Sequence, residues 1–218
     1  MSDISAGLVK ELRARTGAGM MDCKAALKEA NGAIDAAIEV LRKKGLKDLS
    51  KRAGKVAAEG TIGVYSHPGD QVVALVELNS ETDFVARGEE FRTLARDLAM
   101  HVAAMKPTYL AAEDVPAEVL EKEKEILLEQ LNEAQRAKAD KILPGKLQKF
   151  YEDNCLLNQI FVKDDSGSKT IKALVEELGV KVGEKVQVRR FSRYEVGEGI
   201  TRQQANLAAE VAATIGGN

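Results

Sequence analysis

The sequence predicts an α+β protein: an N-terminal three-helix domain, a core in which helices pack on a small antiparallel sheet, and a C-terminal helix. Apolar residues recur at helical spacing through the first 45 residues. The spacing becomes alternating between residues 61 and 78, on both sides of a turn that contains Pro68 and Gly69. Helical spacing returns in an alanine-rich amphipathic segment at residues 203–215. These changes of period indicate helices and a hairpin in separate blocks of the chain.

Composition restricts the class of protein. The 218 residues, 44% of them hydrophobic, suffice for a buried core. The 32 Lys and Arg residues are balanced by 34 Asp and Glu residues, which argues against a protein that covers long stretches of nucleic acid. No apolar run is long enough for a transmembrane helix, and the first residues lack the pattern of a secretory signal. We therefore expect a soluble cytoplasmic protein that associates with no membrane and binds no nucleic acid directly.

Residues 1–45 are predicted to form the three helices of the N-terminal domain. The first helix ends at residues 16–19, the second near Asn31 and Gly32, and the third at Gly45, because glycine is typical of helix C-termini. The apolar stripes of the three helices are interpreted as the core of this domain. Their members are Ile4, Leu8, Val9, Leu12, Met21, Ala25, Leu27, Ile34, Ala37, Ile38 and Leu41.

Basic residues are concentrated between residues 42 and 55, where Asp48 alone opposes seven Lys and Arg residues. Two glycines, Gly45 and Gly54, lie in the same stretch. This composition indicates a linker or a loosely docked helix, assigned to residues 46–58. We interpret the charges as a solvated surface, with contact to phosphate or RNA as the alternative.

The core is assigned to residues 59–200 and begins with a β-hairpin around the turn at residues 67–70. After residues 79–85, an amphipathic helix is predicted to run until Pro107. In chain order, the next predicted elements are a helix-rich stretch at 116–141, a short helix that Pro144 starts, a strand at 159–163, a turn at 164–168, a helix at 170–178 and a strand at 184–196. Residues 201–218 are assigned to a C-terminal helical module.

Motifs for covalent chemistry are missing from the sequence. His67 and His101 lie in no metal-binding pair, and Cys23 and Cys155 lie in no C-x-x-C motif, so both cysteines are interpreted as small packing residues. Neither glycine-rich signature of a nucleotide-phosphate site is present. The chain is predicted to bind a partner, to catalyse no covalent reaction, and to need no cofactor or metal.

The segment at residues 80–85 combines helix-capping residues with an aromatic residue, Phe84. Ser80 or Thr82 can cap the helix that follows, and an acidic residue in its first turn suits the helix dipole. On local grounds alone, capping would explain the segment and Phe84 would be an ordinary core residue.

Two stretches of the sequence, residues 12–27 and 77–87, closely resemble the two signature motifs of bacterial translation elongation factor Ts. Further matches follow in the family's order at residues 101–107, 113–116, 196–200 and 208–213. The helix at 91–102 leads directly into the match that begins at His101, whereas longer family members insert a second half of the core before it. The chain therefore resembles the short form of the family.

The resemblance implies a guanine nucleotide exchange factor for elongation factor Tu in translation, with an N-terminal domain similar to ubiquitin-associated domains. In the family, the Asp and Phe of the second signature wedge into the GTPase near its magnesium ion. Those residues match Asp83 and Phe84, flanked by Thr82 and Val85. Further partner contacts carried over by the match are at Leu12, Met20, Met21, Lys24 and His101. As a packing alternative, we expect Leu12 and one of the two methionines to be buried and the other methionine to be exposed.

The resemblance to short-form members of the family, which pair as homodimers, implies a homodimer here and a 2:2 complex with elongation factor Tu. A single core half would leave a sheet face and edge uncovered, and a second copy would cover them. We place Phe150, Tyr151 and Cys155 at this interface. One alternative function is an RNA-binding or ribosome-associated adaptor that uses the N-terminal domain and its basic segment. Another is a small enzyme that uses Cys23 and His101, but no sequence motif supports it.

Overall fold

The N-terminal residues fold into three helices around a small core of their own. The computed structural model of the chain describes residues 4–16, 18–52 and 54–201. Helices α1 (Ala6–Thr16), α2 (Met20–Glu29) and α3 (Ile34–Lys51) lie where helical spacing predicted them. Leu12, Cys23 and Leu27 are fully buried between them. The predicted helix at 203–215 lies outside the described residues.

Helix α3 does not end at Gly45, so the predicted stop is wrong and the helix crosses the assigned domain boundary. Gly45 lies where α3 meets α9 (Ile171–Val182) of the core. A Cβ atom at Gly45 would lie 2.4 Å from Cγ1 of Val180. Glycine is therefore required at this position for close helix packing, and not for termination.

The core contains one antiparallel sheet in the order β1 (Glu59–Ser66), β2 (Val72–Ser80) and β3 (Gln187–Glu195). The turn between β1 and β2 has the left-handed backbone that its sequence predicts, with φ of 91° at Gly69 and 55° at Asp70. The hairpin and the last strand were both expected, and the predicted α+β class is confirmed.

Helix α5 (Glu89–Met105) covers one face of the sheet. Its backbone approaches β1 so closely that a Cβ atom on Gly63 would lie 2.0 Å from the carbonyl oxygen of Ala95. Fully buried side chains fill the interface from both sides, namely Val76, Leu78, Phe91, Leu98 and Val102. The opposite face of the sheet carries no helix among the described residues.

A helical region, α6 (Ala117–Glu129), α7 (Glu133–Arg136) and α8 (Ala139–Asn154), connects α5 to α9. Pro144 lies inside α8 and starts no new helix, so that prediction is wrong. Helix α8 packs against α6, and this packing outweighs the one backbone hydrogen bond that a proline removes.

No strand forms at residues 159–163, where one isolated bridge joins Ile160 to Thr170. The turn that follows is as predicted, because the Asp164 carboxylate accepts hydrogen bonds from the N–H groups of Ser168 and Lys169 at 2.8 and 2.7 Å. These bonds, the one from Lys169 first, lower the pKa of Asp164 to about 2. Within the described part of the chain, no helix is both long and apolar enough to cross a membrane.

Candidate functional site: an exposed aromatic at a capped helix

The short helix α4 (Asp83–Ala86) begins directly after β2 and carries the second signature. Thr82 is its N-cap: the backbone is extended, and the hydroxyl oxygen accepts a hydrogen bond from the N–H of Val85 at 3.4 Å. Ser80, the other candidate cap, donates its hydroxyl to the carbonyl of Thr82 at 2.9 Å. Thr82 thus fixes where the helix begins, and Ser80 supports the turn before it.

Phe84 is 85% exposed although it belongs to an ordered helix. The other side of this helix turn faces the core, because Ala86 is buried and Val85 packs against the core cluster. Burial of these neighbours leaves Phe84 on the outer side of the turn. The interpretation of Phe84 as a core residue is therefore wrong, and the ring is available to a partner.

Asp83 lies beside Phe84 and is also exposed. Its Oδ2 atom is 3.0 Å from a guanidinium nitrogen of Arg87, one helical turn later. Both side chains are solvated, so this ion pair contributes little to stability. The carboxylate can therefore leave Arg87 and contact another molecule with little loss of stability.

Glu184 contacts the signature from the loop before β3, although the sequence predicts this residue at the start of a strand. Its carboxylate accepts hydrogen bonds from the N–H groups of Glu81 and Thr82 at 3.1 and 3.0 Å, and from the Thr82 hydroxyl at 2.7 Å. Residues 82 and 184 are 102 positions apart. No local sequence signal could have joined them.

The first signature presents two exposed methionines at the start of α2. Met20 is 56% exposed and Met21 is 77% exposed, and Lys24 on the next turn is exposed as well. The expectation that one methionine is buried is wrong, because Cys23, Ala26 and Leu27 supply the inner face of this helix. Leu12 is fully buried, as its packing alternative predicted, and presents no surface to a partner.

His101 is buried within the core. Its Nδ1 accepts a hydrogen bond from the N–H of Val162 at 3.2 Å, so its Nε2 carries the proton and donates it to Oε1 of Gln159 at 3.0 Å. Burial lowers the pKa of His101. This histidine is a neutral cross-link between α5 and the segment after α8, and it has no exposed surface.

The three residues predicted at a dimer interface lie at the end of α8. Cys155 is fully buried, and burial raises the pKa of its thiol. Phe150 and Tyr151 are partly buried and meet edge to face, with ring centroids 5.9 Å apart. Other apolar side chains in residues 59–200 are more exposed than these three. Apart from Phe84, they include side chains on the face of the sheet opposite α5.

Clusters suited to metal binding are missing from residues 4–16, 18–52 and 54–201: no three His, Cys, Asp or Glu side chains converge there. The distinguishing exposed side chains are apolar and are held on ordered helices, which is typical of protein-binding surfaces. Fold and site together define a small α+β protein whose exposed apolar side chains are suited to contact with another protein.

Comparison with known proteins gives the family. The family model described as Elongation factor TS matches residues 9–198. A protein named elongation factor Ts from Desulforamulus reducens is 54% identical over 217 residues, which cover 99% of each chain. One of the same name from Moorella thermoacetica is 58% identical over 203 residues, which cover 92% of this chain and 99% of the relative. The chain belongs to the elongation factor Ts family, which confirms the resemblance found in the signatures.

Proposed function

We propose that this protein is a guanine nucleotide exchange factor that binds elongation factor Tu in the cytoplasm and promotes the release of GDP. The family and the names of the relatives support this role in translation elongation. The observation that supports the mechanism most strongly is the exposure of Phe84, an aromatic ring that is 85% exposed on a helix that Val85 and Ala86 attach to the core. The protein acts by binding and forms no covalent intermediate.

Exchange proceeds in this proposal by disturbance of the magnesium and phosphate site of the GTPase. Mg²⁺ tolerates little departure from octahedral geometry. Phe84 enters beside the ion and displaces packed elements of the partner, and the Asp83 carboxylate competes for the ion's water shell. Thr82 and Val85 serve the same insertion, the first as the cap of the helix and the second as its attachment to the core.

A second contact is proposed at the start of α2. Met20 and Met21 offer flexible, polarizable side chains that adapt to a partner's surface, and Lys24 adds a charge on the same side. Leu12 supports this surface from inside the three-helix core. His101 contributes in the same indirect way, by holding the core segments together.

Exchange requires that factor and nucleotide weaken each other's binding to the GTPase. By linkage, a thousandfold weakening of GDP by the factor is matched by the same weakening of the factor by GDP. That factor corresponds to about 4 kcal/mol. One inserted ring with a surrounding interface can supply such a coupling, since single interface hot spots reach comparable values.

We also propose a homodimer that forms a 2:2 complex with elongation factor Tu. Strand register places five apolar side chains on the sheet face opposite α5. They are Ile62, Val64, Val73, Leu75 and Tyr194. Ile62, Val64 and Tyr194 are mostly exposed, whereas Cys155 at the end of α8 is buried. Exposed apolar sheet favours burial against a second copy, so the sheet face is the better candidate for the interface.

The dimer is tested by light scattering under reducing conditions. Val64→Lys places a charge on the sheet face and should shift the dimer to monomer. Ile126→Lys makes the same kind of change at another exposed apolar position, on α6, and should leave the dimer intact. A wild-type protein that is monomeric and fully active would contradict this part of the proposal.

Release of a fluorescent GDP analogue from elongation factor Tu, with and without this protein, tests the function directly. Stimulated release supports exchange. An unchanged rate, together with binding to RNA at physiological salt, would favour the adaptor instead. The structure gives this alternative little support, because two cations of the basic segment form ion pairs within the protein: Lys44 with Asp22, and Arg52 with Glu81.

A further inference from the structure

Two loops of the core exchange hydrogen bonds next to Phe84. The Glu184 carboxylate accepts three bonds from Glu81 and Thr82, at 2.7 to 3.1 Å. In return, the Glu81 carboxylate accepts a bond from the N–H of Lys185 at 2.7 Å, and it binds the Arg52 guanidinium at 3.1 and 3.2 Å. We call Glu81, Glu184 and Arg52 the carboxylate clamp.

The clamp lies where the sheet stops constraining the chain. The last paired residues of β2 and β3 are Asn79 and Gln187. Beyond them the chain must turn into α4, a helix of four residues that is too short to be stable by itself. The reciprocal bonds of the clamp continue the link between the two strands past the end of the ladder. The direction in which α4 leaves the sheet is set there.

Glu184 also orients the helix cap. A threonine hydroxyl donates one hydrogen bond and accepts others. Glu184 takes the proton of the Thr82 hydroxyl, which leaves an oxygen lone pair for the N–H of Val85. Gly183, with φ of 72°, ends α9 in a left-handed turn immediately before Glu184 and aims this residue at the signature.

Arg52 extends the clamp to the N-terminal domain, because it follows α3 by one residue. The Glu81 side chain is largely shielded from solvent, and the bond from the Lys185 N–H, followed by that from Arg52, lowers its pKa. A charged, hydrogen-bonded carboxylate thus joins the end of α3 to the segment that bears Phe84. The two surfaces proposed to contact the partner, at α2 and at α4, are connected through this point.

We propose that Glu184 is a positioning residue for Phe84: by holding the backbone of Glu81 and Thr82 and orienting the cap, it presets the ring for insertion into the partner. Glu81 and Arg52 complete this support and fix it relative to the N-terminal domain. The inference rests on the proposed exchange function. It predicts that loss of Glu184 weakens nucleotide exchange chiefly through Phe84.

The test uses the full chain with Glu184→Ala, Glu184→Gln and the control Glu177→Ala. Glu177 lies on α9 and loses one exposed ion pair with Lys169, away from the clamp. Glu184→Ala should slow stimulated GDP release about tenfold, the order expected for losing charge-assisted hydrogen bonds, and the control should leave release unchanged. Glu184→Gln keeps a carbonyl oxygen for the two backbone N–H groups and should recover most of the rate. If the alanine variant folds poorly, Glu184→Asp, whose carboxylate is shorter by one methylene group, takes its place and should also slow release.

A double-mutant cycle separates positioning from general stability. In a Phe84→Ala background, Glu184→Ala should cause little further loss of exchange, because the ring it positions is gone. Fully additive losses would overturn the proposal.

Hydrogen exchange of the free protein gives a readout that needs no partner. Glu184→Ala should speed hydrogen exchange at the backbone amides of Glu81 and Thr82. Unchanged protection of both amides would also overturn the proposal. If the wild-type protein fails to stimulate GDP release, the proposed function is wrong, and amide exchange still decides whether Glu184 holds the segment.

Discussion

Replacement of Phe84 by alanine should slow GDP release strongly and lower stability only slightly. A phenylalanine side chain has roughly 200 Å² of surface. Since 85% of Phe84 is exposed, only about 30 Å² is buried, worth about 0.8 kcal/mol at ~25 cal/mol per Å². For a chain of this length, that loss lowers Tm by roughly 2 to 3 °C. The ring's contribution is therefore expected in the complex, not in the fold.

The assay measures release of a fluorescent GDP analogue from elongation factor Tu at fixed factor concentration. A ring at the centre of an interface typically contributes 2 kcal/mol or more, so Phe84→Ala should slow release about thirtyfold or more. Phe91→Ala is the matched control, because Phe91 is 1% exposed in the core and its loss should cost ~3–5 kcal/mol of unfolding free energy. Its Tm should fall by roughly 6 to 20 °C.

Two results would refute this reasoning. A fall in Tm as large as that of Phe91→Ala would mean that Phe84 packs into the fold in solution. A normal rate of GDP release at normal stability would mean that the exposed ring takes no part in exchange.

The remaining predictions concern the carboxylate beside the ring, the buried histidine and two glycines. Asp83→Ala should slow GDP release, but less than Phe84→Ala, because the carboxylate is solvated and acts on the ion's water shell; an unchanged rate would contradict its role. Because burial lowers the pKa of His101, the unfolded chain binds more protons there, so the free energy of unfolding should be greatest above about pH 6.5 and fall as the pH drops below it. His101→Gln should flatten this part of the pH profile of thermal unfolding, and a profile of the same slope would assign it to other groups. Gly63→Ala should destabilise by about 1–3 kcal/mol in denaturant unfolding, since its Cβ would meet the Ala95 carbonyl at 2.0 Å. Gly145→Ala, in open space on α8, should be neutral or stabilising by up to about 1 kcal/mol, and equal effects of the two changes would show that the close approach is unimportant.

Local patterns in the sequence determined the elements that depend on nearby residues. The hairpin followed from alternation around residues 67–70, and the turn has the backbone that Gly69 and Asp70 favour. An N-cap at Ser80 or Thr82 followed from two hydroxyl residues before an acidic first turn, and the structure shows that Thr82 caps α4. Helix α5 followed from the spacing of apolar residues that cover the sheet. In each case the pattern that predicts the element lies within a few neighbouring residues, so the sequence displays it.

Predictions failed where a distant contact overrides a local preference. Gly45 was predicted to end α3, but the helix passes through it because Val180 of α9 occupies the space of its missing side chain. Residues 159–163 have the composition of a strand, yet Gln159 turns inward to hydrogen-bond the buried His101. Both methionines of the first signature are exposed because other residues of α2 fill the core.

The candidate site shows the same division. Its sequence identifies Asp83 and Phe84 through the signature, but neither composition nor spacing tells whether the ring points inward or outward. Burial of Ala86 beneath it decides that. The support by Glu184, 102 residues away from Thr82, depends on β3 pairing with β2 and on the turn after α9. A hydrogen bond between residues so far apart in sequence exists only once the chain has folded, and the tertiary structure alone brings its donor and acceptor together.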